Sequence, residues 1–374
     1  MSILESVLSR GTASGHGSSD SGVTMKNFDY EKITEQEFGF SMKRAKIVVV
    51  GCGGGGTNSV NRLAEMGVEG ANTVAINTDA KHLAVIKADK KILIGKELTR
   101  GLGAGGYPEI GKKAAEESRT QLKESLTGAD LVFLTAGMGG GTGTGSAPVV
   151  SEIAKEMGAI VIGVVTMPFK IEGARIVKAE NGLGKLREAC DTVIVIENDK
   201  LLEFAGDLPI QQAFAVADEL IAGMVKGITE TITLPSLVNL DYADVKSIMH
   251  SGGVAAIGLG FSNSSDRARD AVTKALQNPL LEVDYQGASG ALIHITGGPD
   301  LKLSEVNQIG AIVASHLDPS AQVIWGARIQ PDFHGKVQVI TIITGVSSPY
   351  ILGQVTRVST PTLGISELGI DRIA

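Results

Sequence analysis

The sequence predicts an α/β protein: an N-terminal domain on a parallel, Rossmann-like sheet, a long central helix, and a smaller C-terminal α/β domain with a mostly four-stranded sheet. Three observations predict it. β-branched apolar runs alternate with helical patterns from Lys46 to Ile196, which marks a parallel sheet covered on both faces. An uninterrupted helical spacing then runs from Ile210 to Ile228, and beyond Thr231 the strand and helix pattern restarts. At 374 residues, 43% hydrophobic and 20% charged, the chain can fill more than one core.

The elements follow in order. Residues 1–43 hold a short amphipathic stretch (Ile3, Val7, Leu8) and then a Gly/Ser-rich run, Gly11 to Gly22, too polar to bury anything; they are expected to form a flexible arm. Lys46-Ile-Val-Val-Val-Gly51 reads as a buried strand entering a glycine turn. Helical spacing is expected near Ser59 to Met66, Pro108 to Leu126, Pro148 to Met157 and Ile176 to Glu188. Strands are expected at Thr73 to Asn77, Leu131 to Thr135, Ile160 to Thr166 and Thr192 to Ile196. Ile210, Phe214, Ala217, Ile221, Met224, Val225 and Ile228 share one face of the central helix. The second unit reads as strands Val254 to Gly260, Ala291 to Thr296, Gln322 to Arg328 and Val337 to Gly345, with helices Asp266 to Gln277 and Leu303 to His316. The expected division is arm 1–43, first domain 44–209, central helix 210–230, second domain 231–350 and tail 351–374.

Composition excludes several classes. With 34 basic and 41 acidic side chains the net charge is −7, the wrong field for general nucleic-acid binding. Two cysteines, Cys52 and Cys190, are far apart and lack metal-ligand spacing, which fits a reducing, cytoplasmic setting. No apolar run approaches the roughly 18 residues of a membrane span, and the N-terminus lacks a basic signal-peptide region.

Glycine, at 48 residues, is nearly twice its usual share of roughly 7%, and it concentrates in loops. Gly51-Cys-Gly-Gly-Gly-Gly-Thr-Asn58 follows a strand, precedes a helix and fits G-x-G-x-x-G, with Asp79 after the next strand. Glycines let backbone N–H groups approach phosphate oxygens, so the loop implies phosphate but not nicotinamide. A dinucleotide-dependent oxidoreductase and a plain tight turn both remain open at this point. A second cluster, Gly137-Met-Gly-Gly-Gly-Thr-Gly-Thr-Gly-Ser146, follows strand Leu131 to Thr135 and suggests a nucleotide gripped from two strands; Thr142 and Thr144 add hydroxyl donors for phosphate oxygens or metal-bound water. Gly106 to Lys113 falls one residue short of a Walker A loop, and no strand precedes it, so it reads as a helix start. The glycine-rich stretch Thr99 to Gly106 is a candidate sensor of a terminal phosphate or a solvated connector.

Gly139-Gly-Gly-Thr-Gly-Thr-Gly145 is the tubulin-type signature loop. With Gly51 to Asn58, Asn77-Thr-Asp79 and Asn239-Leu-Asp-Tyr-Ala-Asp244, it makes the chain resemble the tubulin/FtsZ family of cell-division GTPases, its archaeal members most, collinearly from about Ile47 to Val346. The resemblance implies GTP and GDP binding with Mg²⁺ held mainly through the phosphates, with no protein metal site. It also implies head-to-tail self-association into filaments of a mid-cell division ring, and hydrolysis at the junction between subunits. A tethering adaptor on the tail would replace direct membrane insertion, and no nucleic acid is expected as partner.

Residue by residue, the resemblance assigns the phosphates to Gly54, Gly55, Gly56, Thr57, Asn58, Gly141, Thr142 and Gly143, and counts Asn77 and Asp79 among the nucleotide-binding residues. It sets Gly103, Ala104 and Gly105 near the γ-phosphate, Glu172 on the ribose and Arg175 on the nucleotide, although the chain runs one residue short near Arg175. Phe214 and Asp218 lie four apart on one helix face, where a ring can stack on a purine and a carboxylate can accept both N1–H and N2–H of guanine. Asn239, Asp241 and Asp244 read by themselves as an ordinary helix cap; the resemblance places them as catalytic groups against the nucleotide of the next subunit. Lys81 stands where the family often has a polar amide, and Tyr107 where it often has Asn. His82 and His250 read as surface or capping residues, and Cys52 as a small loop residue.

Overall fold

The structure, a computed structural model, describes residues 45–346 apart from 201–206, 208, 234–235, 239, 241, 251–254, 278–284 and 286. Expectations for the arm 1–43, the tail 351–374, Asn239 and Asp241 lie outside the described residues.

β1 (Ile47–Cys52), β2 (Ala71–Asn77), β3 (Lys90–Leu93), β4 (Leu131–Gly137), β5 (Ile160–Met167) and β6 (Thr192–Glu197) form a parallel sheet in the order β3-β2-β1-β4-β5-β6. β1 is buried along its whole length and β4 up to Gly137, so neither shows the polar alternation of a half-exposed strand. Burying each Leu, Ile or Val of such a strand contributes roughly 1.5–3 kcal/mol, which is why these runs were the clearest strand signals. The strand order reverses between β1 and β4, which pair in register from Ile47 with Leu131 to Cys52 with Ala136. A crevice at the carboxyl ends of those two strands is where such sheets hold ligands.

Seven helices and short turns pack on or between these strands among the described residues: α1 (Gly53–Met66), α2 (Ala80–Val85), α3 (Lys96–Thr99), α4 (Pro108–Glu117), α5 (Arg119–Leu126), α6 (Thr142–Glu156) and α7 (Ala174–Ala189). Two of them begin earlier than the spacing predicted. α1 starts in the glycine run instead of near Ser59, and α6 at Thr142 instead of Pro148, because glycine's helix penalty of about 1 kcal/mol is overridden by close packing. Every residue of α6 from Thr142 to Ser151 is buried, Pro148 included. The single helix expected over 108–126 breaks at Ser118, whose hydroxyl oxygen accepts the Gly95 N–H at 3.1 Å. β3, α2 and α3 are too short to carry a readable period.

α8 (Ile210–Thr233) runs 24 residues, about 36 Å at 1.5 Å per residue, and buries Ile221, Ala222, Met224, Val225 and Ile228. It packs against α1 on one side and the second sheet on the other. There follow α9 (Tyr242–His250), β7 (Ala255–Ser262), α10 (Arg267–Leu276), β8 (Gly290–Gly297), α11 (Leu303–Ala314), β9 (Gln322–Ile329) and β10 (Val337–Thr344). The second sheet has the order β7-β10-β8-β9; β10 runs antiparallel to both neighbours, whereas β8 and β9 are parallel.

Candidate nucleotide site

The two glycine loops leave adjacent strands and meet. Gly53, at φ +71°, opens α1; a Cβ there would stand 2.6 Å from the Gly143 nitrogen, so only glycine permits the approach. Gly143 in turn sits where a Cβ would be 2.8 Å from the Gly137 carbonyl oxygen. Gly54 and Gly140 differ: no atom lies within 4 Å of where their Cβ would be, so one residue of each loop looks into open space. Gly54, Gly55 and Asn58 are exposed, whereas Gly56 and Thr57 are buried. Gly141, Thr142 and Gly143 are buried as well, and what they offer a ligand is the N-terminus of a 15-residue helix, with its free N–H groups and positive dipole end. Gly140 of this loop is half-buried, with open space where a Cβ would stand, and no sequence motif assigned it to the site. The Thr144 hydroxyl, buried in the first turn of α6, has no hydrogen-bond partner among the described residues, which suits a ligand oxygen or its water.

A third segment closes over the second loop. Gly101, Gly103, Gly105 and Gly106 all have positive φ, and the Gly103 N–H donates to the Thr78 carbonyl at 3.1 Å. Ala104 is buried against Gly141, so the stretch 103–105 adjoins the second glycine loop. Lys178 of α7 donates to the Gly106 carbonyl at 2.8 Å and lies over the Tyr107 ring, a tether that no local pattern announced. The Thr78 and Thr142 hydroxyls join at 2.6 Å, linking the end of β2 to the start of α6.

Asp79 caps α2: one carboxylate oxygen accepts the Lys81 N–H at 2.9 Å and the His82 N–H at 3.1 Å. A dinucleotide oxidoreductase uses the acid after its second strand on the ribose, and here that oxygen is engaged by backbone. Asn77 Oδ1 accepts the Thr78 N–H at 2.9 Å. His82, read from sequence as a surface or capping residue, lies among Thr57, Asn58 and Asn77, within 3.1 to 3.3 Å of a polar atom of each. Cys52 is the last residue of β1, not a loop residue, and burial pushes its thiol up to about 12, so it is no nucleophile.

On the far side of the crevice, Glu172 and Arg175 pair at 2.6 Å, and Glu172 also accepts the Phe169 N–H at 3.0 Å. Gly139 packs on the Arg175 backbone, which brings this pair beside the second loop despite the missing residue. Phe214, partly exposed, meets Phe169 edge-on with ring centroids 5.8 Å apart. Asp218 accepts the Ser59 hydroxyl at 2.8 Å. Burial raises the Asp218 carboxyl above its usual range, with Ser59 and Arg62 opposing. Phe169 and Ser59 complete a face with an aromatic edge and a held carboxylate, and neither was singled out from sequence, because each acts only through a residue distant in the chain.

Asp244 is elsewhere. It lies in the first turn of α9, and the neighbouring Tyr242 hydroxyl donates to the Asp130 carbonyl at 2.9 Å, just before β4 begins. Met249 of the same helix accepts from Thr192 at the start of β6. α9 therefore sits at the amino ends of β4 and β6, while the second glycine loop leaves the carboxyl end of β4.

The strand order is that of dinucleotide-binding sheets too, so topology alone leaves the family undecided. Residues 46–206 match the family model described as Tubulin/FtsZ family, GTPase domain, and 253–347 match FtsZ family, C-terminal domain. The chain belongs to the FtsZ family. Cell division protein FtsZ 2 of Methanocaldococcus jannaschii is 62% identical over 332 residues, 88% of this chain and 86% of that one. FtsZ 2 of Halobacterium salinarum is 59% identical over 312 residues, covering 83% and 79%. Among solved structures, an empty FtsZ dimer from M. jannaschii superposes with TM-score 0.78 at 52% identity over 85% of this chain and 92% of that one. A GTPγS-bound protofilament of CetZ2 from Haloferax volcanii gives 0.70 at 25% identity over 81% and 93%. FtsZ-family membership fixes the α/β architecture with a GTPase domain and the cell-division class of this chain. Among the described residues no helix is long and apolar enough to cross a membrane.

Proposed function

We propose that this protein binds and hydrolyses GTP, polymerises head-to-tail through copies of itself, and forms the filaments of a mid-cell division ring. One observation carries the reading: the glycine loops and Asp244 lie at opposite ends of the same parallel sheet. β4 spans roughly 20 Å at about 3.3 Å per residue, so a nucleotide on its carboxyl end is beyond reach of an acid at its amino end. A second copy stacked end to end brings the two together.

In this reading Gly54, Gly55, Asn58 and Gly140 face the phosphates, and the N-terminus of α6 at Gly141, Thr142 and Gly143 supplies the dipole. Gly103 to Gly105 lie over the γ-phosphate. Glu172 takes the ribose hydroxyls and Arg175 the nucleotide. Phe214 stacks on the base, and the Asp218 carboxylate accepts from N1–H and N2–H, which adenine lacks. Mg²⁺ in this reading is carried mainly by the phosphates. Asp79 and the Thr142 hydroxyl are the oxygen donors we assign to its waters, and the ion would offset phosphate charge. Asp244 of the following copy, with Asn239 and Asp241, orients the attacking water and takes its proton as the water oxygen bonds the γ-phosphorus and the bridge to GDP breaks. A membrane-tethering adaptor on 351–374 and a cytoplasmic, mid-cell location belong to the same reading.

The test is phosphate release per molecule against protein concentration, with sedimentation in GTP and in GDP alongside. A rate that climbs from dilute to concentrated protein, together with GTP-dependent pelleting, is expected; a flat rate rejects the shared site. Tight NAD(P) binding without competition from GTP would restore the oxidoreductase.

A further inference from the structure

His82 is a polar side chain beside the first glycine loop that the proposed mechanism leaves unused, and its hydrogen bonds have a fixed direction. The chain of logic starts in the backbone. Asn77 Oδ1 accepts the N–H groups of Thr78 at 2.9 Å and Asp79 at 3.3 Å, so the oxygen of that carboxamide must face them and its Nδ2 must face His82 Nδ1, 3.2 Å away. Nδ2 only donates, so Nδ1 must accept. The imidazole proton then sits on Nε2, which donates to Asn58 Oδ1 at 3.1 Å. The Thr57 hydroxyl has one proton and three acceptors within range, the Gly53 and Gly54 carbonyls and His82 Nδ1; each choice agrees with an accepting Nδ1. The ring itself is held by the Asp79 cap on the His82 N–H.

The last link in this relay is the informative one. With Asn58 Oδ1 turned inward to His82, the exposed end of the Asn58 carboxamide is Nδ2, which carries two N–H donors and no acceptor. We infer that His82 is a positioning residue that fixes Asn58 with its donors outward, so that the first glycine loop presents N–H groups, and never a carbonyl, to an oxygen of the bound nucleotide. The inverted carboxamide would aim a carbonyl oxygen at phosphate or ribose oxygens, two acceptors facing each other. Without His82, Asn58 is free to populate both orientations, and only one of them binds.

This inference rests on the nucleotide reading above, and two measurements on the full chain keep the two separable. The first needs no ligand: nitrogen-detected NMR of the nucleotide-free protein, with His82→Gln used to assign the signal, should show His82 protonated at Nε2 and bare at Nδ1. A proton on Nδ1 overturns the relay whatever the protein binds. The second is GDP affinity, which does not depend on the neighbouring copy's acids. His82→Leu should bind about tenfold more weakly, the effect of one lost hydrogen bond in a binding site. His82→Gln, whose carboxamide keeps one donor and one acceptor, should recover most of that loss. Adding His82→Leu to Asn58→Ala should change nothing further, because the histidine acts through the asparagine. If the two losses multiply instead, or if Leu binds as well as His, His82 does not orient Asn58. If the unaltered protein binds no guanine nucleotide, the nucleotide reading falls and the NMR result still judges the relay. Should His82→Leu fail to fold, Asn58→Asp decides: a carboxylate in the outward position must lower GDP affinity by far more than Asn58→Ala does, and equal losses overturn the donor-outward assignment.

Discussion

The Tyr242 hydroxyl donates to the carbonyl oxygen of Asp130 at 2.9 Å. That bond pins the start of α9 beneath the amino end of β4, while the second glycine loop leaves the carboxyl end of the same strand at Gly137. A parallel sheet has two chemically different ends, and this chain places its glycine loops at one and its acid-bearing helix at the other.

Removing the acid should therefore separate binding from turnover. Asp244→Ala is expected to keep GTP affinity within about twofold and to lower hydrolysis by roughly 10²–10⁴, the range for loss of a general acid or base. Nucleotide titration beside phosphate release reads both. A large loss of affinity would assign Asp244 to its own chain's pocket.

Mixing makes a sharper case. Chains carrying Asp244→Ala and chains with a blocked pocket, Gly53→Val, are each expected to be inactive alone, the second because a side chain cannot stand 2.6 Å from the Gly143 nitrogen. Combined, an intact pocket can meet an intact acid, and phosphate release should reappear. Continued inactivity in mixtures that still co-sediment would place the whole active site within one chain.

Asp218 should govern the choice of base and its pH dependence. Burial raises its carboxyl above the usual range, so the carboxylate that accepts from guanine forms only at correspondingly higher pH. Preference for GTP over ATP should fall on acidification before ordinary carboxylates titrate, and Asp218→Asn should abolish it at every pH. The folding linkage has the opposite sign: the folded chain holds this proton more tightly than the unfolded chain, so stability declines as pH rises from the ordinary carboxylate value to the raised one. Competition binding at several pH values, with denaturation at the same values, checks both.

His294 on β8 offers a separate reading of the second sheet. It is buried, its Nδ1 has no partner among the described residues, and burial, with the Arg328 charge, lowers it from 6.5 to about 4. The unfolded chain binds this proton more readily, so stability is lost as pH falls from about 6.5 to about 4, by roughly 3 kcal/mol in total. His294→Gln should flatten that part of the stability profile in urea denaturation. An unchanged slope would show that other groups carry the acid sensitivity.

Much of the fold was legible because its strongest signals are local. The run Ile47 to Val50 and the run Leu131 to Leu134 are buried on both faces, so they read as strands whatever surrounds them. The helix starts differ from expectation where local preference and packing disagree: Gly53 opens α1 because the Gly143 backbone leaves room for nothing larger, and the first turn of α6 at Thr142 is buried. β3 was missed because Lys90 and Lys91 are exposed and four residues carry no period. In the site, the glycine loops stand out from their spacing, and the Phe214 and Asp218 pair from spacing only together with the family resemblance. Ser59, Phe169, Lys178 and His82 could not, since each meets its partner from a different element.

The sequence by itself determined the parallel sheet, the glycine loops that leave it and, through its motifs, the family, all of which depend on residues close together in the chain. Only the tertiary structure decided which ends of the sheet the loops and α9 occupy, and which way the side chains around His82 point. Those relations arise where backbone groups and side chains from distant segments must satisfy one another's hydrogen bonds in a shared, close-packed interior, and no local preference encodes that constraint.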